Sequence, residues 1–183
     1  MAFRGPSSQT ETSAGGFSII ELLVVISVLG LLSALAIPGF RDLMARYQTS
    51  TVANEIVGVL TSARMESIRR GGSVVIQKKT TGTNSCSTNQ EWSCGLILWT
   101  DTNHNGILDV GEQLKELDIP ARVVVRNMSG SSPSSMTFNR WGNANGINAL
   151  HFRLIRSGVS TADRSVCVTS GGRIRIESGI DCP

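Results

Sequence analysis

Between residues 17 and 40 the chain reads FSIIELLVVISVLGLLSALAIPGF, and Glu21 is its one charged residue. No other stretch constrains the fold as much. At a rise of about 1.5 Å per residue, residues 17–37 make a helix roughly 31 Å long, enough to cross a hydrocarbon core of about 30 Å. A carboxylate in such a helix costs roughly 2.5–3.5 kcal/mol on insertion scales, so Glu21 implies a partner that offsets the cost. Gly30 and Pro38 are poor helix residues. Pro38 removes a backbone hydrogen bond and disfavours helix at Ile37, so a kink is expected where the helix leaves the bilayer.

The segment before the run, residues 1–16, is polar, with Arg4 and Glu11 as its only charges. Pro6, Ser7 and Ser8 discourage regular structure, and the segment reads as a processed leader. An ordinary secretory signal carries its small-residue cleavage site after the apolar run. Here Gly15-Gly16 stands before it, so a cut there leaves the helix on the mature chain.

G-F-S-I-I-E-L-L-V-V-I at residues 16–26, followed by Gly30 and Pro38, resembles the N-terminus of the type IV pilin superfamily. That superfamily includes major and minor pilins and the pseudopilins of type II secretion. The resemblance covers residues 15 to about 41, and Ser18 stands where many members carry Thr. It implies that a prepilin peptidase cuts after Gly16 and methylates the new amino group of Phe17. It also implies that Glu21 pairs with the N-terminal amine of a neighbouring pilin and sets register during assembly. In related filaments the segment between Gly30 and Pro38 can lose helicity during packing. The implied place is the bacterial inner membrane, single-pass, with the head in the periplasm, and then a pilus or pseudopilus.

Beyond the membrane half, Val52, Ile56, Val59, Leu60, Ala63 and Ile68 recur at helical spacing, so residues 41–72 read as an amphipathic helix and its stop. Arg69 and Arg70 suit the negative end of the helix dipole, and Gly71-Gly72 suits the stop. From residue 73 the pattern changes to short strands and turns. Strands are expected at 73–78, 95–100, 113–117, 122–126, 135–139, 149–155, 165–169 and 173–177. Residues 80–93 read as a polar loop and 129–134 as a flexible turn. The fold class is α+β: a long helix packed on an antiparallel, β-rich head at residues 73–183, the architecture of a pilin. About 140 residues outside the leader and membrane half are enough for one real core.

The four cysteines, Cys86, Cys94, Cys167 and Cys182, all follow the apolar run. None forms a C-x-x-C pair, so disulfides in an oxidising compartment fit better than zinc. Three connectivities are open, and the short-range one, Cys86–Cys94 with Cys167–Cys182, is expected. A loop of about 15 residues closed in this way contributes on the order of 3 kcal/mol.

Residues 101–112 read DTNHNGILDVGE and match the calcium-loop spacing D-x-[DN]-x-[DN]-G-x5-E. Asp101, Asn103, Asn105, the Ile107 carbonyl, Asp109 and Glu112 would supply the oxygens, with Gly106 at the sharp turn. Flanking segments read as strands rather than helices, so an Asn-Gly turn closed by its own Asp and Asn side chains is the main expectation. Apart from this calcium loop, no cofactor is implied.

The D-x-N-x-N-G stretch, with F-N-R-x-G at residues 138–142 and His151-Phe152-Arg153-Leu154, makes the head resemble the GspH/FimT group of minor pilins and pseudopilins. The C-terminal third is basic through arginine alone, with eight arginines against Asp163, Glu177 and Asp181 over residues 120–183. Gly171-Gly172 suggests a hairpin turn. Arg173 and Arg175, two apart on a strand, share one face, and Ile174 and Ile176 the other. Gly172-Arg173-Ile174-Arg175 resembles the G-R-x-R motif of FimT-like minor pilins, which bind double-stranded DNA in natural transformation. The competing reading of the same residues is an edge strand blunted by charge. The group's other role is that of a GspH-type pseudopilin in type II secretion. No enzyme motif is present, and Trp92, Trp99 and Trp141 are expected in the core or packed on turns rather than as stacking surfaces.

Overall fold

A computed structural model describes residues 16–82, 84, 86, 88–129, 133–144, 150–156, 162–179 and 181–182. The expected leader, apart from Gly16, lies outside these residues, as do Ala149 and residues 130–132 of the expected turn. Two compact units divide at residues 39 and 40.

A single helix, α1 (Ile19–Arg70), is continuous through Gly30 and Pro38. Ser18 precedes it and its carbonyl accepts from the Glu21 and Leu22 N–H groups, both at 3.1 Å. Gly71, at φ 63°, ends it. There the Gly71 N–H reaches the Ile68 carbonyl and the Gly72 N–H reaches the Ser67 carbonyl, the paired bonds of a Schellman stop. The apolar residues of the first unit are exposed along its length. That half has the length and composition to cross a membrane, with a mean hydropathy of 2.6 over its apolar window.

Among the described residues eight strands follow: β1 (Val74–Lys78), β2 (Leu96–Trp99), β3 (Gln113–Leu117), β4 (Val123–Asn127), β5 (Ser135–Phe138), β6 (His151–Arg156), β7 (Arg164–Val168) and β8 (Ile174–Ser178). All pairings are antiparallel, in two four-stranded sheets of order β3-β2-β1-β5 and β4-β6-β7-β8. Alternation makes each sheet: Val74, Ile76, Met136 and Phe138 face inward from the first, and Val123, Val125, Phe152, Leu154, Val166 and Val168 from the second. Each such side chain gains about 1.5–3 kcal/mol from full burial.

The buried stripe of α1, from Val52 to Ala63, joins both inner faces in one core. Ser67, not Ile68, completes that stripe. Ile68 is half exposed, because helical period carries the buried face one residue earlier at the last turn. Trp92, in the loop after β1, fills the core edge-on to Phe152 with ring centroids 4.9 Å apart. Its backbone N–H donates to the Val125 carbonyl at 2.9 Å, tying the first loop to the second sheet. Every residue of this core lies after residue 40, so the head has the means to fold on its own.

Candidate functional site

At the N-terminal end, Gly16 and Phe17 precede α1 and are exposed. Glu21 lies in the first helical turn, where a carboxylate complements the positive end of the helix dipole. The apolar side chains beyond it, Leu22 to Leu35, are open on all sides of the helix, a surface suited to lipid or to other helices.

The basic end is built from two turns and the last full turns of α1. After β7, the Thr169 N–H donates to the Arg173 carbonyl at 2.9 Å, and the Gly172 N–H to the Thr169 carbonyl at 2.8 Å. This closes the hairpin into β8. Gly172 sits at φ 74°, and a Cβ there would lie 2.0 Å from the Gly142 carbonyl oxygen. The turn after β5 and the β7–β8 hairpin therefore touch backbone to backbone. Arg64 of α1 donates from Nη1 to the Gly172 carbonyl at 2.8 Å. The Cys167–Cys182 disulfide, Cα–Cα 5.8 Å, fastens the chain after β8 back onto β7. Cys86 and Cys94 are bonded to each other as well, closing the first loop.

Arg173 is exposed at the mouth of this hairpin, while Arg175 is half buried, with its Nη1 3.6 Å from Glu177 Oε1. Ile174 packs on the core and Ile176, on the same side, is partly open. The two arginines therefore share a face as expected, but Arg173 is the more available. Other arginines of the C-terminal third are held inside the head. Arg153 pairs with Asp163 at 3.0 Å, Arg156 bonds Gln48, and Arg164 donates to the Asp163 carbonyl at 3.1 Å. Arg122, Arg126 and Arg140 join Arg173 as exposed members.

One expectation fails here. Trp92 and Trp99 are buried, but Trp141 is 75% exposed, at the tip of the turn after β5. Asn139 and Gly142 explain it. The Asn139 Oδ1 accepts from the Trp141 and Asn143 N–H groups at 2.9 and 3.1 Å, and Gly142 takes φ 74°. An Asn-x-x-Gly pattern is a turn signal, and it outweighs the hydrophobicity of the residue between.

The acidic loop closes on itself. Asp101 accepts from the Asn105 and Gly106 N–H groups at 3.0 and 2.8 Å. Asp109 Oδ2 accepts from the Asn103 and Asn105 side-chain amides, both at 2.7 Å. Glu112 is buried and takes the Thr102 hydroxyl at 2.6 Å, the Thr102 N–H at 2.8 Å and the Asp109 N–H at 3.1 Å. Those bonds, the Thr102 hydroxyl first, hold its carboxyl below the usual carboxylate range. Among the described residues no three His, Cys, Asp or Glu side chains are grouped to hold a metal. The loop is a turn satisfied by its own side chains, with Asn103 and Asn105 both bonded to Asp109.

An apolar N-terminal helix running into a head of two antiparallel sheets defines a type IV pilin-like subunit. The model of the family "Type II transport protein GspH" matches residues 52–172, and the chain belongs to that family. The crystal structures of the type IV minor pilin FimU from Pseudomonas aeruginosa share the fold. One has TM-score 0.52 at 20% identity, covering 70% of this chain and 91% of FimU, and a second crystal form has TM-score 0.54. The pilin-like protein PilA1 of Thermus thermophilus is 33% identical over 54% of this chain and 55% of its own length. A fimbrial protein of Pseudomonas aeruginosa is 40% identical over 26% of this chain and 31% of its own. The chain thus spans about a third to a half of these relatives. Among the described residues, the apolar half of α1 has the length and composition to anchor the chain in a membrane.

Proposed function

We propose that this chain is a minor pilin of a type IV pilus that captures double-stranded DNA for uptake through Arg173, supported by Arg175. Prepilin peptidase cleaves after Gly16 and methylates Phe17, the helix anchors the head on the periplasmic side, and Glu21 docks on a neighbouring subunit. The observation that carries the DNA reading is the exposed Arg173 on a hairpin fixed by a disulfide, by Arg64 and by the neighbouring turn. A guanidinium on a rigid mount meets a phosphate without losing much freedom. Phosphate contacts of this kind show little sequence preference and weaken steeply with salt. The test is DNA binding by the head, residues 40–183, across a salt series, wild type against Arg173→Gln with Arg175→Gln. Salt-sensitive binding lost in the double variant, with the fold intact, supports the site. Unchanged binding rejects it.

The family model's own description favours a second reading, a pseudopilin of a type II secretion system without DNA binding. Deleting the gene separates the two: loss of transformation supports the first, and loss of protein secretion the second.

A further inference from the structure

We propose that Trp141 is a stacking platform for an unpaired base, so that the arginine end of the head takes single-stranded DNA as well as duplex. This rests on the DNA-binding reading above and adds a second form of DNA, an unpaired end or stretch, to the duplex that the arginines hold.

Trp141 is the one described tryptophan open to solvent. The turn beneath it is rigid: the two bonds to Asn139 Oδ1 are joined by the Gly142 N–H donating to the Asn139 carbonyl at 2.8 Å. Gly142 touches Gly172, so Trp141 and Arg173 are each one residue from the contact between the two turns. Arg140, also exposed, precedes Trp141, and Arg64 lies between the turns, with its Nη1 on the Gly172 carbonyl. Residues 139–143 and 169–173 contain no Asp or Glu. An exposed indole thus stands on a turn that also carries Arg140 and that meets, backbone to backbone, the turn before Arg173, with no carboxylate in either turn.

That set matches the parts of a single strand. The ring offers a face to a base, and the arginines meet the phosphates on either side of it. Every base has such a face, so the site tolerates any sequence. A duplex offers the arginines the same phosphates, but its base faces are covered by their neighbours and leave the indole nothing to stack on. Met65 and Ile68 are exposed nearby and would extend the surface toward a protein partner. The two turns, with Arg140 and Arg173 and no acid, favour the polyanion.

The experiment uses the head, residues 40–183, with both disulfides intact. It is titrated with a short oligothymidylate and with a duplex of the same length, following tryptophan emission and DNA anisotropy. Because Trp92 and Trp99 are buried, quenching by the single strand reports on Trp141. Trp141→Ala should weaken single-strand binding roughly ten-fold or more and leave duplex binding nearly unchanged, and Trp141→Phe should keep most of the affinity. If Trp141→Ala leaves single-strand binding intact while Arg173→Gln weakens duplex binding, the stacking role falls and the DNA reading stands. Equal weakening of both forms by Trp141→Ala also overturns stacking. If the wild-type head binds neither form, both ideas fall. If Trp141→Ala abolishes self-association of the head and leaves DNA binding unchanged, the surface is a protein contact and the proposal is overturned.

Discussion

Arg64, in the last turns of α1, donates a hydrogen bond of 2.8 Å to the carbonyl of Gly172, 108 residues away. The bond ties the end of the helix to the hairpin that carries Arg173. It is also why Gly172 lies so close to its surroundings. A Cβ on Gly172 would meet Arg64 Nε at 3.1 Å as well as the Gly142 carbonyl oxygen at 2.0 Å.

Gly172→Ala should therefore cost about 2–4 kcal/mol, from a left-handed backbone and a clash with another backbone that cannot yield. Urea denaturation of the head measures it. Gly58 is the control: it is exposed in α1, and a Cβ there meets nothing within 4 Å. Gly58→Ala should stabilise by about 0.5–1 kcal/mol. Equal effects at the two sites would show that the two turns are not in contact.

Much of this fold was legible in the residues, and the exceptions share a cause. The eight strands lie within two residues of the alternating stretches and turn dipeptides that announced them, because those signals are local. The division into sheets was not visible. β4 joins the second sheet and β5 returns to the first, a choice made by contacts between distant segments. Helical spacing points Ile68 to the buried stripe, and the indole of Trp141 suits the core or a packed turn, whereas helical phase and turn chemistry put both outside. Arg173 could be named from its motif. Its fixation by Arg64 and the adjoining Trp141 depend on three segments meeting, which no local pattern encodes.

The Cys167–Cys182 bridge spans 15 residues and holds the chain after β8 against β7. In the chain-entropy account such a loop contributes about 3 kcal/mol, and the shorter Cys86–Cys94 loop about 2.5 kcal/mol. Cys167→Ser with Cys182→Ser should lower stability by about that first amount and raise amide exchange in β8 before the rest of the second sheet. Native-state hydrogen exchange reads both. Protection in β8 equal to that of wild type would mean that strand pairing alone holds the hairpin.

Glu66 and Glu112 are, with Glu116 beside Lys79, carboxylates that should carry the acid sensitivity of the head. Glu66 bonds Arg69 and Arg70, which hold its pKa down from 4.5 to about 2. Glu112 is lowered by the Thr102 hydroxyl first and then by N–H groups of the acidic loop. A folded pKa below the unfolded one means that the folded state binds fewer protons. The contribution is then present above the unfolded value and lost as pH falls through the folded one. Glu66→Gln and Glu112→Gln should both lower Tm near neutral pH. For Glu66 the gap to wild type should close between 4.5 and about 2. Adding calcium should leave Tm unchanged, since the loop oxygens are already bonded to N–H groups. A calcium-dependent rise in Tm that Glu112→Gln removes would support the calcium loop instead.

Glu21 is the remaining residue whose chemistry demands a partner. It lies in the first turn of a helix whose flanking residues, Ile19, Ile20, Leu22 and Leu23, are all apolar and exposed. In lipid a lone carboxylate there costs roughly 2.5–3.5 kcal/mol on insertion scales, and a cationic amine on a neighbouring helix would remove most of that cost. The N-terminal amine that the proposed cleavage after Gly16 would create is such a cation, and it would exist only on a processed subunit. Removing the carboxylate removes both the cost and the reward of docking, so Glu21→Ala should insert and be cleaved normally but enter filaments poorly. Mass spectrometry of the membrane-bound subunit reads cleavage, and immunoblots of sheared filaments read incorporation. Glu21→Gln keeps the shape and a weak hydrogen bond and should fall between. Wild-type incorporation of Glu21→Ala would show that apolar packing of the helix alone drives assembly.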